Sequence, residues 1–300
     1  MQALNRRTFL ANTAQASLIA ALAPQLSSAK PLGLPIGSQT YPHRQRIKDG
    51  DFAGLMKDMK ALGIDSVELC SPGYAEFASL ADGKQTRRII EDAGLTCRSA
   101  HFNMPSLRNK QPEMIAWAKD IGMTQMSTAT LSGPMKDGVT TMDTIKKSAA
   151  EYNKIGAEAA KAGLQQVLHN EGFELAKVEG DPRFCYDVLL ELLDPKLVKM
   201  QFQMSTTRTL GDPVTYFTKY PGRFISMHLQ GVNLKAPTPP PPPPGGGRGP
   251  GIPQLAVGKD DIDWKKVFTA AKTGGVKNYF VEQAWDLTVE SVGYLKTLNV

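Results

Sequence analysis

Strand-like and helix-like segments alternate eight times between Leu34 and the C-terminus, and this rhythm limits the fold more than any other feature of the sequence. The strand candidates are Ile36–Tyr41, Ser66–Cys70, Thr96–His101, Thr124–Ala129, Gln165–His169, Val198–Gln203, Phe224–Leu229 and Asn278–Glu282. The helical patterns are Phe52–Leu62, Gln85–Ala93, Glu113–Ile121, Met142–Ala162, Phe184–Leu193, Val214–Tyr220, Trp264–Thr273 and Val289–Leu298. Such alternation builds right-handed βαβ units, and eight of them close into a barrel. We therefore predict the α/β class and a single-domain (β/α)8 TIM barrel.

Four helical patterns end in a glycine that leads directly into the next strand. The four turns are Leu62-Gly63-Ile64, Ala93-Gly94-Leu95, Ala162-Gly163-Leu164 and Gly274-Gly275-Val276. Glycine closes a helix in the left-handed conformation at little steric cost, and a repeated device of this kind is typical of one face of a barrel. The chain of 300 residues is long enough, since such a barrel takes about 250.

The first 29 residues differ in character from the rest. Arg6 and Arg7 precede a mildly apolar stretch from Ala16 to Ala23, and small residues follow at Ser27–Ala29. This arrangement resembles a twin-arginine signal peptide, so we expect residues 1–29 to be a leader and residues 30–300 the barrel. The resemblance implies passage through the Tat translocase to the periplasm or the exterior. The stretch is shorter than the roughly 20 residues that span a bilayer, so we expect no stable membrane anchor.

Charge and cysteine content argue against several functional classes. The net charge of +6 comes from basic residues scattered without a run or interleaved aromatics, so a nucleic-acid partner is not expected. Cys70, Cys97 and Cys185 are odd in number and lie in or beside apolar segments, which favours core positions over a disulfide framework. A serine hydrolase has no nucleophile-elbow pattern to support it.

One segment, Pro237 to Pro253, interrupts the alternation after the seventh strand. It contains prolines from Pro239 to Pro244 followed by three glycines, a composition that forms neither helix nor strand. Two hypotheses stay open for this insertion at 237–253: a low-complexity segment tolerated at a loop tip, and a lid over the site.

The four histidines of the chain follow alternate strand candidates. His43, His101, His169 and His228 come at or after the first, third, fifth and seventh strands. Carboxylates and amides occur at the same level: Glu68, Glu171, Glu174, Gln201, Gln203 and Glu282. Because the C-terminal ends of barrel strands meet at one face, we predict a shared pocket there. Imidazole and carboxylate together suit a divalent ion such as Mn, Zn or Co.

At these positions the chain resembles the xylose isomerase-like TIM barrels, the sugar phosphate isomerases/epimerases. The resemblance runs from about Leu34 to the C-terminus. It is carried by Leu164–Glu174, Asp194–Val198, Gly211–Pro213, Lys219–Arg223 leading into His228, Gly258 with Ile262–Trp264, and Val281–Gln283. The first of these segments matches the family pattern Tyr-His-Asn-His-Asp-Phe-Glu, with Glu171 in place of the second histidine.

In this family a divalent metal is held at the ends of strands five to eight. By position, the resemblance implies His169 or Glu174, His228 and Glu282 as ligands. The expected aspartate is missing, because Gln201-Phe202-Gln203 stands where the family reads Glu-x-Asp, and Gln230-Gly231 stands for Lys-Asp. A neutral amide is a poorer partner for a divalent cation than a carboxylate, so a weakened metal site is expected.

The resemblance implies a sugar isomerase or epimerase that acts through a metal-stabilised enediolate on a small carbohydrate, or a lyase on an oxidised sugar. Glu174 and Glu282 would be base and ligand in either order, and His101 would assist catalysis. Substrate would contact His43, Glu68, Asn170, Glu171 and Gln203. The alternative is a metal-free carbohydrate-binding protein without turnover, for which Gln203 and Gly231 argue. A third class, an apurinic endonuclease on the same barrel, is not expected, because it would need more zinc-ligating histidines than four and a basic groove.

Overall fold

The structure, a computed structural model, describes residues 30–131, 133–237 and 253–300. Eight parallel strands close into a barrel in which β1 pairs with both β2 and β8. The strands are β1 Gly37–Gln39, β2 Ser66–Cys70, β3 Thr96–His101, β4 Gln125–Thr128, β5 Gln165–His169, β6 Val198–Gln203, β7 Phe224–Leu229 and β8 Asn278–Val281. Five of them match the predicted bounds residue for residue, and the predicted (β/α)8 fold is confirmed.

A helix follows each strand and packs on the outside of the barrel. The helices are α1 Phe52–Leu62, α2 Gly83–Asp92, α3 Gln111–Ile121, α4 Met142–Lys161, α5 Cys185–Leu192, α6 Pro213–Lys219, α7 Trp264–Gly274 and α8 Trp285–Leu295. Shorter helices, Arg44–Lys48, Met104–Asn109 and Thr207–Leu210, lie in the loops after β1, β3 and β6. Within the described ranges, no helix combines the length and apolar character needed to cross a membrane.

The glycine turns between helices and strands have the predicted conformation. Gly63, Gly94, Gly163 and Gly275 have φ values of 93°, 76°, 78° and 98°, in the left-handed region that favours glycine. These turns all lie at the N-terminal face. The loops at the opposite face are therefore left to carry functional side chains, as in other barrels of this kind.

The barrel interior is polar near its C-terminal face. Successive residues of a strand point to opposite sides, so Val67 and Leu69 of β2 pack towards the helices while Glu68 points inward. The three cysteines are buried and unpaired, as expected for core residues.

Two segments singled out in the sequence lie outside the described residues: the leader at 1–29 and the central part of the insertion, 238–252. The flanks of the insertion are described. Gly231 and Leu255 form an antiparallel bridge, and Arg208 donates to the carbonyl oxygens of Asn233 and Ala236. Both flanks of the insertion therefore lie beside the end of β7.

Candidate active site

Three of the four histidines pack together at the C-terminal ends of β3, β5 and β7. We call His101, His169 and His228 the histidine trio. Their ring centroids are 4.5 to 5.1 Å apart, and one ring nitrogen from each lies within 4.8 Å of the others. All three side chains are buried. The trio arises because His101 and His169 are the last residues of their strands and His228 is the last but one.

His228 bridges two buried glutamates. Its Nε2 lies 2.5 Å from Glu68 Oε2, and its Nδ1 lies 3.1 Å from Glu282 Oε2. Burial disfavours the charged imidazole, but the charges of Glu282 and Glu68 outweigh burial and raise the pKa of His228 to about 10. Burial likewise raises the pKa of each glutamate, and the imidazole charges reverse this and hold both carboxyl pKa values below the usual range. The three groups thus form an ionised triad at neutral pH.

Side-chain amides and a hydroxyl surround the triad with further donors. On Glu68, Oε1 accepts from Ser99 Oγ at 2.6 Å and from Gln201 Nε2 at 3.0 Å. On Glu282, Oε2 accepts from Gln203 Nε2 at 2.6 Å and from Gln230 Nε2 at 3.0 Å. Such charge-assisted bonds fix both carboxylates and favour their ionised forms.

His169 and Gln203 carry polar atoms without partners. Neither ring nitrogen of His169 has a hydrogen-bond partner within the described part of the chain, and Gln203 Oε1 is also buried and unpartnered. Burial and then the charges of His228 and His101 lower the pKa of His169 well below its usual value, which leaves a neutral imidazole. Neutral imidazole is the form that binds metals, and buried polar atoms without partners are costly. The residues present therefore fit a divalent ion at the histidine trio, where His169 offers unpartnered ring nitrogens.

Glu174 lies in a different environment from the predicted one. Its carboxylate accepts hydrogen bonds from Leu131 N at 2.6 Å, Thr130 Oγ1 at 2.9 Å and Gly172 N at 3.1 Å. These donors tie the loop after β4 to the loop after β5, and burial raises the pKa of Glu174 to about 7. These contacts join the loops after β4 and β5, and the roles of Glu174 as base or metal ligand stay predictions.

Two predicted substrate-binding residues, Asn170 and His43, make contacts within the protein. Asn170 donates from Nδ2 to Thr206 Oγ1 at 2.8 Å and accepts from Gln203 N at 2.9 Å, so its amide fixes the end of β6. His43 packs edge-on against Trp285 with ring centroids 5.6 Å apart. Burial and the charge of Arg46 lower the pKa of His43 to about 4. His43 is separate from the trio because β1 ends at Gln39, and a short turn at Tyr41–His43 carries it onward.

A cavity of about 340 Å³ opens beside the triad at the C-terminal face. Glu282, His101 and Glu171 line it, so three predicted site residues meet there. Glu171 is about half exposed, and its Oε2 lies 3.9 Å from His169 Nε2. The volume falls at the lower end of the range of about 300–1,000 Å³ for small-molecule sites.

Gln230, Ser99, Tyr41 and Tyr74 are site residues that sequence reasoning missed, and Gln201 was noted without a role. A signal was available for the residues on strands. Ser99 and Gln201 lie two residues before His101 and Gln203, and side chains two apart in a strand share a face. The tyrosines lie in loops and turns, where spacing gives no such indication.

Gly231 also has a structural reason for departing from the family pattern. A Cβ at this position would collide with the backbone oxygens of Leu255 and Ala256, which belong to the returning flank of the insertion. The aspartate expected here is therefore sterically excluded.

No protein-family model and no curated protein matches the sequence. Solved structures match nearly all of it. A sugar phosphate isomerase/epimerase from Parabacteroides distasonis is 18% identical, with 88% of this chain and 94% of that chain covered and a TM-score of 0.70. A xylose isomerase-like TIM barrel protein from Mycobacterium smegmatis, in complex with magnesium, is 15% identical. The match covers 89% of this chain and 97% of that chain, with a TM-score of 0.62. An L-ribulose 3-epimerase is 14% identical, and the match covers 88% of this chain and 86% of that chain with a TM-score of 0.60. The chain thus has the (β/α)8 fold of the xylose isomerase-like barrels.

Proposed function

We propose that the protein is a sugar isomerase or epimerase that moves a proton beside a carbonyl group through an enediolate. Glu282 carries the proposal. It lines the cavity, and the His228 charge outweighs burial and lowers its pKa, so it is an ionised base at neutral pH. Its Oε2 accepts the bonds from Gln203, His228 and Gln230, which fixes the carboxylate in position. A positioned and ionised carboxylate is what a general base requires.

In the proposed reaction, Glu282 removes the proton from the carbon next to the substrate carbonyl. Return of the proton to the former carbonyl carbon, together with transfer of the hydroxyl proton from the new carbonyl oxygen to the former one, gives the isomer. Delivery to the opposite face of the original carbon gives the epimer. Glu171 and His101 line the same cavity and are the candidates for that second delivery. Where a leaving group stands beta to the carbonyl, its expulsion from the same intermediate makes the reaction a lyase reaction.

The proposal includes a divalent ion, Mn, Zn or Co, held at the histidine trio with His169 and His228 as ligands, while Glu282 serves as the base. When bound, such an ion polarises the substrate carbonyl and stabilises negative charge on its oxygen. The unpartnered nitrogens of His169 support an ion at this place. Binding would require His228 to release one proton, because a metal ligand uses the lone pair of its nitrogen.

A metal-free carbohydrate-binding protein is the second candidate, and the donor pattern favours it. Glu68 and Glu282 together accept from three amides, a hydroxyl and both nitrogens of His228. These donors satisfy the hydrogen-bonding capacity of the carboxylates without an ion, and His228 balances one of the two negative charges. Tight sugar binding without turnover would identify this candidate.

The activity is tested by incubating the protein with a panel of aldoses, ketoses and oxidised sugars in D2O. We expect deuterium at the carbon beside the carbonyl of at least one sugar, measured by NMR. Binding of a sugar without any exchange would contradict the isomerase and support the binding protein.

The ion is tested by elemental mass spectrometry of protein purified without chelator. We expect near-stoichiometric Mn, Zn or Co in the wild type and its loss in the double variant His228→Ala, Glu282→Ala. The matched control is His43→Ala, a buried histidine outside the trio, which should keep the metal. A wild type without metal after supplementation would sink the metal-assisted mechanism.

We further propose that residues 1–29 direct export by the twin-arginine route, so that the protein acts in the periplasm or outside the cell. The Arg6–Arg7 pair supports the proposal. Substituting both residues by lysine should leave the protein in the cytoplasmic fraction, detected by immunoblot. Unchanged export of the lysine variant would contradict the twin-arginine route.

A further inference from the structure

The cavity beside the triad is lined by two chemically different sets of side chains. The polar set includes His101, Glu171 and Glu282. The largely apolar set includes Tyr41, Tyr74, Phe102, Met104 and Pro105. A ligand that satisfies both sets has hydroxyl or carbonyl groups on one part and an apolar surface on another.

Packing fixes the aromatic part of the cavity. Tyr41 stacks on Phe77 with ring centroids 6.5 Å apart and planes 7° from parallel, and Tyr74 meets the same ring edge-on at 6.5 Å. Phe77 is completely buried, so both tyrosines rest on a rigid support. Rings held in place bind the C–H face of a sugar with little loss of side-chain entropy.

The described wall of the cavity has no lysine or arginine side chain with which to bind a phosphate. Two of the described residues that line the cavity, Glu171 and Glu282, are acidic. The guanidinium of Arg44 lies over the Tyr41 ring at 4.4 Å and donates to the Tyr41 carbonyl oxygen. Proteins bind phosphate groups with arginine, lysine or free backbone N–H groups, and acidic walls repel a dianion.

The helix that starts at the cavity wall has no free N-terminus for a phosphate. The short helix Met104–Asn109 begins there, but its N-terminus is already capped, since Asn103 Oδ1 accepts from Ser106 N at 2.8 Å. The side chain therefore occupies the position that a phosphate would take at a free helix start.

We infer that the substrate is an unphosphorylated sugar bound with a C–H face against Tyr41 and Tyr74. The inference rests on the proposed function for the assignment of this cavity as the substrate site. It narrows the substrate class, and it makes the two tyrosines specificity-determining residues.

Calorimetry on the full chain tests the inference with matched pairs of probes: free pentoses, hexoses and ketoses, and the phosphorylated counterpart of each. We expect at least one free sugar to bind, and its phosphorylated counterpart to bind at least about tenfold more weakly because of like-charge repulsion. Tighter binding of a phosphorylated sugar than of its free counterpart would overturn the inference. Failure of every free sugar to bind would overturn it as well.

Variants of the tyrosines locate the binding surface. Tyr41→Ala and Tyr74→Ala should each weaken the binding of the free sugar about tenfold, while Tyr74→Phe keeps the ring and should bind normally. The control is Tyr220→Ala, which removes a partly buried tyrosine at the end of α6, at the N-terminal face. Equal affinity in both alanine variants and the wild type would overturn the placement.

The deuterium-exchange assay separates this inference from the proposed function. Binding of free sugars without exchange would remove the isomerase activity and leave the inference standing. Exchange that occurs only with phosphorylated sugars would support the isomerase activity and overturn the inference of an unphosphorylated substrate.

Discussion

Glu282 and Glu174 are both buried carboxylates, and burial alone would raise the pKa of each, yet their pKa values shift in opposite directions. At the barrel mouth, the His228 charge outweighs burial and lowers the pKa of Glu282. In the wall formed by the loops after β4 and β5, only neutral donors meet Glu174, and burial raises its pKa to about 7. The comparison teaches that a nearby charge, rather than the number of hydrogen bonds, decides which buried carboxylate stays ionised.

The largest expected effect comes from exchanging each carboxylate for an amide of the same shape. Glu282→Gln should lower the rate of deuterium exchange by about 10²–10⁴-fold, because it removes the base. Glu174→Gln should change the rate only a few-fold, because Glu174 supports the loop that carries Thr130 and is not among the residues that line the cavity. Equal losses of exchange rate in the two variants would contradict the different roles assigned to Glu282 and Glu174.

Removing the second carboxylate partner of His228 should weaken the fold. Glu68→Ala leaves a buried imidazolium with one partner, and we expect the free energy of unfolding to fall by about 3–5 kcal/mol near neutral pH. The raised pKa of His228 contributes stability below its ordinary value of 6.5 that is lost as pH rises through about 10. The lowered pKa of Glu68 contributes stability above 4.5 that is lost in acid. The effect in urea unfolding should therefore be greatest between pH 4.5 and 6.5, and a loss that does not vary with pH would contradict the ion pair.

The pH dependence of Glu174 should run the other way. Its pKa is about 7 in the folded protein against an ordinary 4.5, so the folded state holds the proton more tightly and stability falls as pH rises from 4.5 to 7. Glu174→Gln cannot ionise. Its free energy of unfolding relative to the wild type should therefore improve by on the order of 3 kcal/mol across this interval. A constant difference between the two proteins in urea titrations would show that Glu174 is not perturbed.

The smallest effect concerns one donor to Glu174. Thr130→Val removes the hydroxyl that lies 2.9 Å from Glu174 Oε2. We expect a loss of about 1–2 kcal/mol in unfolding free energy at about pH 8, where Glu174 is ionised, and a smaller loss at about pH 5. A larger loss at the lower pH would contradict an ionised acceptor.

The strands could be predicted because their pattern is local. Buried apolar runs and glycine turns recur once in each strand–helix unit. The ends of β3, β5 and β7 could therefore be located from the sequence, and this also located the histidine trio. His43 was misplaced by the same reasoning, because β1 was predicted to end at Tyr41 and ends at Gln39.

Loop geometry could not be predicted from spacing. Glu174 is five residues beyond His169, but the turn at Glu171–Phe173 directs its carboxylate to Leu131 and Thr130 on a neighbouring loop. The amides were undervalued for a different reason. Gln201 and Gln230 match no ligand pattern in the sequence. Their role as hydrogen-bond donors becomes visible only when the structure places Glu68 and Glu282 beside them.

The bridge between Gly231 and Leu255 connects two departures from the family pattern that look independent in the sequence. The returning flank of the insertion occupies the space that an aspartate side chain at position 231 would need. The absence of a carboxylate at position 231 is thus coupled to the path of the returning flank. The substitution Gly231→Asp would require the flank to be rebuilt at the same time, so the loop and the ligand set of this site constrain each other.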